Sequence, residues 1–300
     1  MQNGVTLIGP VSRDIVRLPE LPERQQPGGA VFYAGMALRA LGVPVNVITR
    51  LAKQDEATLL TPLRRAGATI TALASAHTTS FINSYGPSTD ERTQEVSAQA
   101  DPFLVADIPA ISTQWIYLGP LLEGNISTAL IRHIADRGAH RIASDAQGLL
   151  RHVRDGKVLP ADWPDKYEIL PRIDILKADA QEAGLITGQS DPEMSARILC
   201  GRGVDHALVT LGDAGAILCH RGALIRQPAF RPAGKTWPTV DTTGCGDTFL
   251  AAYLAGIIEG KQPAEAGRYA ATAAALKQTA FGPLQADMRE VLRMAEKTWL

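Results

Sequence analysis

The chain has 300 residues, 45% of them hydrophobic, and its 30 basic and 31 acidic side chains leave a net charge of −1. That length can bury a substantial core, and that hydrophobicity excludes a disordered chain. The charge balance gives no overall pull toward nucleic acid or an anionic membrane, and three cysteines without paired spacing (Cys200, Cys219, Cys245) speak against a disulfide framework.

Met1–Pro10 lacks the basic and then apolar pattern of an export signal. No apolar run reaches the roughly 18 residues of a membrane span, so the expected location is the cytoplasm. In chain order, Val5–Ile8 reads as a strand, Ser12–Pro27 as a polar, proline-rich excursion, and Val31–Leu41 as a helix. Val45–Thr49 (strand) and Glu56–Ala66 (helix) follow. Thr78–Ser97 then reads as two short strands joined by a Gly-Pro turn, alternating around Phe81, Asn83 and Tyr85. Trp115–Leu118, Arg141–Asp145, Ile173–Lys177 and Ala207–Leu211 are further strands, and Ile126–Arg137, Ala180–Thr187 and Pro192–Gly201 are the helices between them. Past Asp241 the pattern is helical, over Thr248–Ile258, Pro263–Gln278 and Leu284–Lys297.

Near-continuous apolar strands alternating with helices predict an α/β fold: a central, mostly parallel sheet with helices on both faces. Segments 12–27 and 78–98 break the alternation and are expected to form a small β lid over the sheet's edge; an ordinary surface hairpin is the alternative for the second. Without repeats or a linker, residues 1–300 read as one domain carrying that lid. Ligands of such sheets bind outside the carboxyl ends of the strands.

The segment TVDTTGCGDTFLAAYLAG holds the most chemistry. Phe249, Leu250, Tyr253 and Ile257 make an apolar helical stripe, so Gly244, Cys245 and Gly246 fall in the turn that opens the helix. Backbone N–H groups there lack intrahelical acceptors, the helix dipole adds positive character, and glycine lets an anion approach closely. Asp247, next in line, is suited to accept the proton of a hydroxyl attacking a phosphate held by the turn. Taken alone, the same residues are an acidic first helical turn after a glycine loop.

DTTGCGDTF resembles the C-terminal signature of the ribokinase-like (PfkB) carbohydrate kinases, with Cys245 where alanine is commoner. PGGAVFYAGMALRALG, from Pro27 to Gly42, resembles their N-terminal signature. The resemblance spans nearly the whole chain. It implies that Asp247 is the catalytic base and Gly244, Cys245 and Gly246 the anion hole. It further implies that Asp14 and the Gly28–Gly29 backbone bind substrate hydroxyls, and that Asp179 and Glu182 of KADAQEA organise Mg²⁺ and phosphates through water. Thr210, Gly212 and Gly215 correspond to a nucleotide-side motif; Lys177 and Thr242 join them there, and the stretch from Lys277 to Gly282 would contact the nucleoside part of ATP. Some members hold a monovalent cation, K⁺, beside the positions of Asp241–Thr243. Each residue also has an isolated reading: Asp14 as a turn residue, Gly28–Gly29 as a loop, Asp179 and Glu182 as an acidic first turn, and Gly212 and Gly215 as a hairpin turn.

Departures from the family pattern bear on the substrate. Tyr33 stands where many members carry a sugar-contacting asparagine, Asp179 replaces the usual asparagine, and Ala30 and Gly35 differ from the ribokinase form, so ribose is not expected. Asp145, Gln147 and Arg151 follow a strand's carboxyl end; Arg151 could hold an anionic substrate group or the transferring phosphate, the opposing reading being a surface arginine. Cys245 at a helix N-terminus has either a lowered pKa or a packing role. The six histidines show no metal-ligand spacing.

The expected activity is ATP- and Mg²⁺-dependent phosphorylation of a hydroxyl on a small sugar, sugar acid or polyol such as an inositol. A nucleoside kinase using Phe32, Tyr33 and Phe81 to stack a base is the alternative. A dinucleotide-dependent dehydrogenase lacks its GxGxxG after the first strand, and a non-catalytic sensor has no need of Asp247. An exposed β lid could pair with a second copy as a homodimer.

Overall fold

A computed structural model describes residues 2–17, 22–85, 92–138, 140–231 and 239–296. The elements in order are β1 (Gln2–Ile8), β2 (Ser12–Arg17), β3 (Arg24–Gly28), α1 (Ala30–Ala40), β4 (Val45–Leu51), α2 (Glu56–Arg65), β5 (Thr69–Ala74), β6 (Ser80–Tyr85), β7 (Arg92–Ala98) and β8 (Thr113–Leu118). Next come α3 (Thr128–Asp136), β9 (Arg141–Asp145), β10 (Arg151–Arg154), β11 (Lys157–Pro160), α4 (Lys166–Ile169), β12 (Ile175–Asp179), α5 (Ala180–Thr187) and α6 (Pro192–Gly201). The chain closes with β13 (His206–Thr210), β14 (Ala216–His220), β15 (Ala223–Gln227), α7 (Cys245–Ile258), α8 (Pro263–Lys277) and α9 (Met288–Ala295).

Among the described residues, nine strands form the central sheet in the order β15-β14-β13-β12-β9-β8-β1-β4-β5. From β13 to β5 all pairings are parallel; the hairpins to β14 and β15 are antiparallel. Side chains alternate between the faces of a strand. Leu7, Val47, Tyr117, Ile175 and Leu208 therefore pack toward α1, α7 and α8, while Ile8, Ile48, Leu118, Leu176 and Val209 pack toward α3, α5 and α6. Each fully buried aliphatic side chain contributes about 1.5–3 kcal/mol, and helices cover both faces because neither can be left wet. Among the described residues no helix is long and apolar enough to cross a membrane.

A second sheet of six strands runs β10-β11-β7-β6-β2-β3. It draws on the two segments that interrupt the α/β alternation and adds a third hairpin, β10–β11, which the sequence reading did not anticipate. The expected Gly-Pro turn between β6 and β7 lies outside the described residues. Strand β12 begins and ends two residues later than expected, which makes Asp179 its last residue and the N-cap of α5.

At the opposite end of β13, antiparallel register sets His206 against His220, and their rings stack at 4.1 Å beside Asp205. The linear spacing of the histidines hides this grouping. Arg141 answers Asp205 at 3.2 Å, and the Tyr253 hydroxyl meets His206 at 2.9 Å.

Candidate active site

The carboxyl ends of β9 and β12 build the floor of a cleft. Parallel register pairs Lys177 directly with Asp145, and both side chains point to the face that α7 covers. Their ion pair spans 3.1 Å and is almost wholly buried. Glu182, one turn into α5, lies 3.7 Å from the same ammonium. Burial alone would lower the Lys177 pKa, but the charges of Asp145, Glu182, Asp247 and Asp179 hold it above the ordinary lysine range. The Tyr117 hydroxyl is buried on the same face without a hydrogen-bond partner among the described residues; burial and then the charges of Asp247 and Asp145 push its pKa up.

Helix α7 starts at Cys245, earlier than the apolar stripe alone suggests, so Asp247 is its third residue. Gly244 caps it at φ 80°, and a Cβ there would strike the Tyr33 ring at 2.3 Å, so only glycine fits this turn. One expectation needs correction: the Cys245 N–H is not free for an anion, because it donates to the Thr242 carbonyl at 3.1 Å. The amides of Gly246 and Asp247 follow it in the first helical turn, where intrahelical acceptors are absent. The Cys245 thiol sits 3.7 Å from the Ala274 carbonyl oxygen, and burial pushes its pKa up to about 11. The packing role prevails over the lowered-pKa reading.

Asp247 opens onto the cleft, while its Oδ1 is buried without a hydrogen-bond partner among the described residues. Burial, and then the charge of Asp145, raise its carboxyl to about 7 against the pull of Lys177 and Arg151. Such a group changes protonation state near neutral pH, as a general base should.

The cleft holds about 170 Å³. The expected residues Asp14, Gly29, Tyr33, Arg151, Lys177, Asp179, Glu182, Thr242, Gly244, Gly246 and Asp247 all line it. Its roof comes from the second sheet. Asp14 on β2 accepts from the Ser12 hydroxyl at 2.7 Å, and a Cβ on Gly28 would lie 2.2 Å from the Asp14 carboxylate. Gly28 thus makes room for Asp14. Gln94 on β7 donates to the Asn83 amide oxygen at 2.9 Å and accepts from Arg151 at 3.2 Å. The Gln147 amide, oriented oxygen-first, accepts from Arg151 at 2.7 Å. Sequence reasoning missed Gln94 and Ser12 as cleft residues, and Tyr117 as a buried hydroxyl on the same face of the sheet. It also left Asp145 unpaired, although a lone lysine inside the apolar run IDILKAD signals a buried partner.

Asp179 and Glu182 form a capping box, each carboxylate accepting from the other's backbone N–H at 2.8 Å. One oxygen of each is thereby used, and Lys177 already supplies positive charge beside Glu182. This all-oxygen set suits Mg²⁺ held through water better than direct ligation.

The remaining expected residues lie outside the cleft lining. Thr210 ends β13, and Gly212 and Gly215 form the β13–β14 turn. Gly282 donates its N–H to Asp241 at 3.3 Å. The expectation that Lys277 reaches a nucleoside is not met by its side chain, which is fully buried with its ammonium on Asp241.

Residues 58–288 match the pfkB family of carbohydrate kinases. Ribokinase from Arabidopsis thaliana is 36% identical over 140 residues, 44% of this chain; the match spans only 36% of that relative's length. A solved pyrophosphate-dependent kinase in the ribokinase family, determined as a sulfate complex, is 30% identical, with TM-score 0.86, over 97% of this chain and 99% of its own. A structure of such a kinase with a pyrophosphate analog and myo-inositol is 29% identical, with TM-score 0.85 and the same coverages.

Proposed function

We propose that this chain, which belongs to the pfkB family of carbohydrate kinases, transfers a phosphoryl group from ATP to a hydroxyl of a small polyol, sugar or sugar acid. The observation that carries this reading is Asp247: a carboxylate oxygen buried without a partner among the described residues, a pKa near neutrality, and a helix mouth beside it. The terminal phosphate would lie at Gly244 and Gly246, with the acceptor hydroxyl between Asp247 and the phosphorus. Asp247 takes the proton as the new oxygen–phosphorus bond forms, and ADP leaves with the electrons of the broken bond. Asp179 and Glu182 would hold Mg²⁺ through water, and the ion would supply positive charge toward the phosphate oxygens. Lys177 and Arg151, which both line the cleft, add fixed positive charge there.

The acceptor would sit under Ser12, Asp14, Gln94 and Arg151. These groups recognise hydroxyls or a carboxylate, and the cleft is smaller than the roughly 300–1,000 Å³ usual for drug-sized ligands. A nucleoside is disfavoured: Phe32 does not line the cleft and the Tyr33 ring is already packed on Gly244, which leaves Phe81 alone at the lining to stack a base. The nucleoside part of ATP would extend toward the exposed Gly212–Ala214 turn, which follows β13 at the same end of the sheet as Asp179.

A second donor, pyrophosphate, is favoured by the two similar structures, both described as pyrophosphate-dependent. One experiment separates these readings. Purified protein with Mg²⁺ is given ATP or pyrophosphate together with inositols, hexoses, sugar acids and nucleosides, and phosphorus NMR follows the products. A phosphate monoester formed from ATP supports the first reading, and one formed only from pyrophosphate moves the donor to the second. Turnover of nucleosides alone, or of no acceptor with either donor, overturns the acceptor class or the activity respectively.

A further inference from the structure

Behind the phosphate loop lies a cation that the chemistry above does not use. Lys277 is the last residue of α8, and its side chain has no exposure. Its ammonium donates to the Asp241 carbonyl oxygen at 2.8 Å and to Asp241 Oδ2 at 3.0 Å. Asp241 is the residue from which the loop is hung: Oδ1 accepts from the Thr243 N–H at 2.9 Å, and Oδ2 from Gly282 at 3.3 Å. The N–H groups of Val240 and Asp241 both donate to the Gln278 carbonyl, just past the end of α8. The Tyr33 ring, which walls off Gly244, lies 5.7 Å from the same ammonium.

A carboxylate, a main-chain carbonyl and the negative end of a helix therefore converge on one buried point. Such a point demands a positive charge, and an uncharged residue there would strand the Asp241 carboxylate. We infer that Lys277 is a positioning residue, a cation tethered by its own side chain, which holds the Asp241–Gly244 turn in shape and makes a free monovalent cation unnecessary at that turn. The turnover arm of the test rests on the proposed kinase activity; the melting arm does not.

The test compares chloride salts of K⁺, Na⁺ and N-methylglucamine at equal ionic strength, on wild type, Lys277→Ala and Lys277→Met. Wild-type kcat is expected to agree within about twofold across the three salts, since the charge is built in. Lys277→Ala, which opens a small cavity beside Asp241, should lose about 10²-fold in kcat in N-methylglucamine with little change in acceptor KM, and recover at least about tenfold in K⁺ or Na⁺. Its melting temperature should rise by about 2–4 °C with the same ions. Lys277→Met fills the space without charge and should lose activity with no recovery. Wild-type activation by K⁺, full activity of a folded Lys277→Ala in N-methylglucamine, or a loss that neither ion repairs in rate or melting would overturn the inference. If no acceptor turns over, the activity has failed while the melting series still decides the role of Lys277. If Lys277→Ala does not fold in any salt, the wild-type series decides.

Discussion

The floor and the roof of the cleft are built by different means. The floor rests on parallel strand register: Lys177 faces Asp145 because their strands are neighbours, and α7 delivers Asp247 to the same face. The roof is a relay of amides and a guanidinium, Asn83–Gln94–Arg151–Gln147, its first three members on strands of a separate sheet and Gln147 in the turn after β9. The floor holds buried charges whose removal disturbs the fold. The roof holds exchangeable hydrogen bonds whose removal disturbs recognition. A site divided in this way can keep its chemistry while its acceptor changes.

Breaking the floor at the reacting group gives the largest effect. Asp247→Asn should lower kcat about 10²–10⁴-fold while donor affinity, measured by calorimetry, stays within about twofold. A variant with more than half the wild-type kcat removes Asp247 from the role of base. The pH dependence follows from the same residue. Its folded pKa, about 7, exceeds the ordinary 3.8, so the folded state binds the extra proton between those values. The stability this contributes is complete below the unfolded pKa and is lost as pH rises through 7. Asp247→Asn should therefore melt higher than wild type at pH 8, by about 3 °C, with the gap closing toward acid pH. Wild-type kcat/KM should climb with pH to a plateau above 7, and a profile flat from pH 5 to 9 would refute that assignment.

Lys177→Met tests the floor as structure. It leaves Asp145 and Glu182 buried without their cation, so a loss of about 3–5 kcal/mol in urea unfolding is expected. A loss below about 1 kcal/mol would mean that water or protonation compensates fully.

Gly28→Ala addresses the roof. The new methyl group would meet the Asp14 carboxylate and push it aside. The acceptor KM should rise about tenfold with donor KM unchanged, because only ground-state contacts to the acceptor are lost. Equal changes in both constants would show that the floor had moved as well.

The same division explains what the sequence disclosed. Gly244 to Asp247 are contiguous, and helix-end chemistry alone marks them as an anion site with an acid beside it. The alternation of Leu7 and Ile8, or Ile175 and Leu176, between two covered faces was equally legible, and with it the central sheet. The Lys177–Asp145 pair was half legible: an isolated lysine in an apolar strand asks for a partner, but only register names it. Gln94 had no local mark at all, because its place depends on how β7 pairs with β6 and how β10 closes the second sheet. Lys277 was misread as a nucleoside contact, since proximity to Gly282 in sequence does not reveal that its stem turns inward to Asp241.

The smallest effect is expected where a helix N-terminus suggested reactivity. Cys245 stands in the first turn of α7, yet burial pushes its thiol up to about 11, and its amide is already used by the Thr242 carbonyl. The sulfur packs near the Ala274 and Asp241 carbonyl oxygens, and does not line the cleft. Cys245→Ala should change kcat and both KM values by less than about threefold, the range of a buried packing change that spares the reacting groups. A thiol reagent at pH 7.5 should label Cys245 more slowly than a free cysteine in solution, because the thiolate fraction sets the rate. Rapid labelling suppressed by ATP would reverse this, placing a thiolate at the helix mouth and making the floor chemically reactive at a second point.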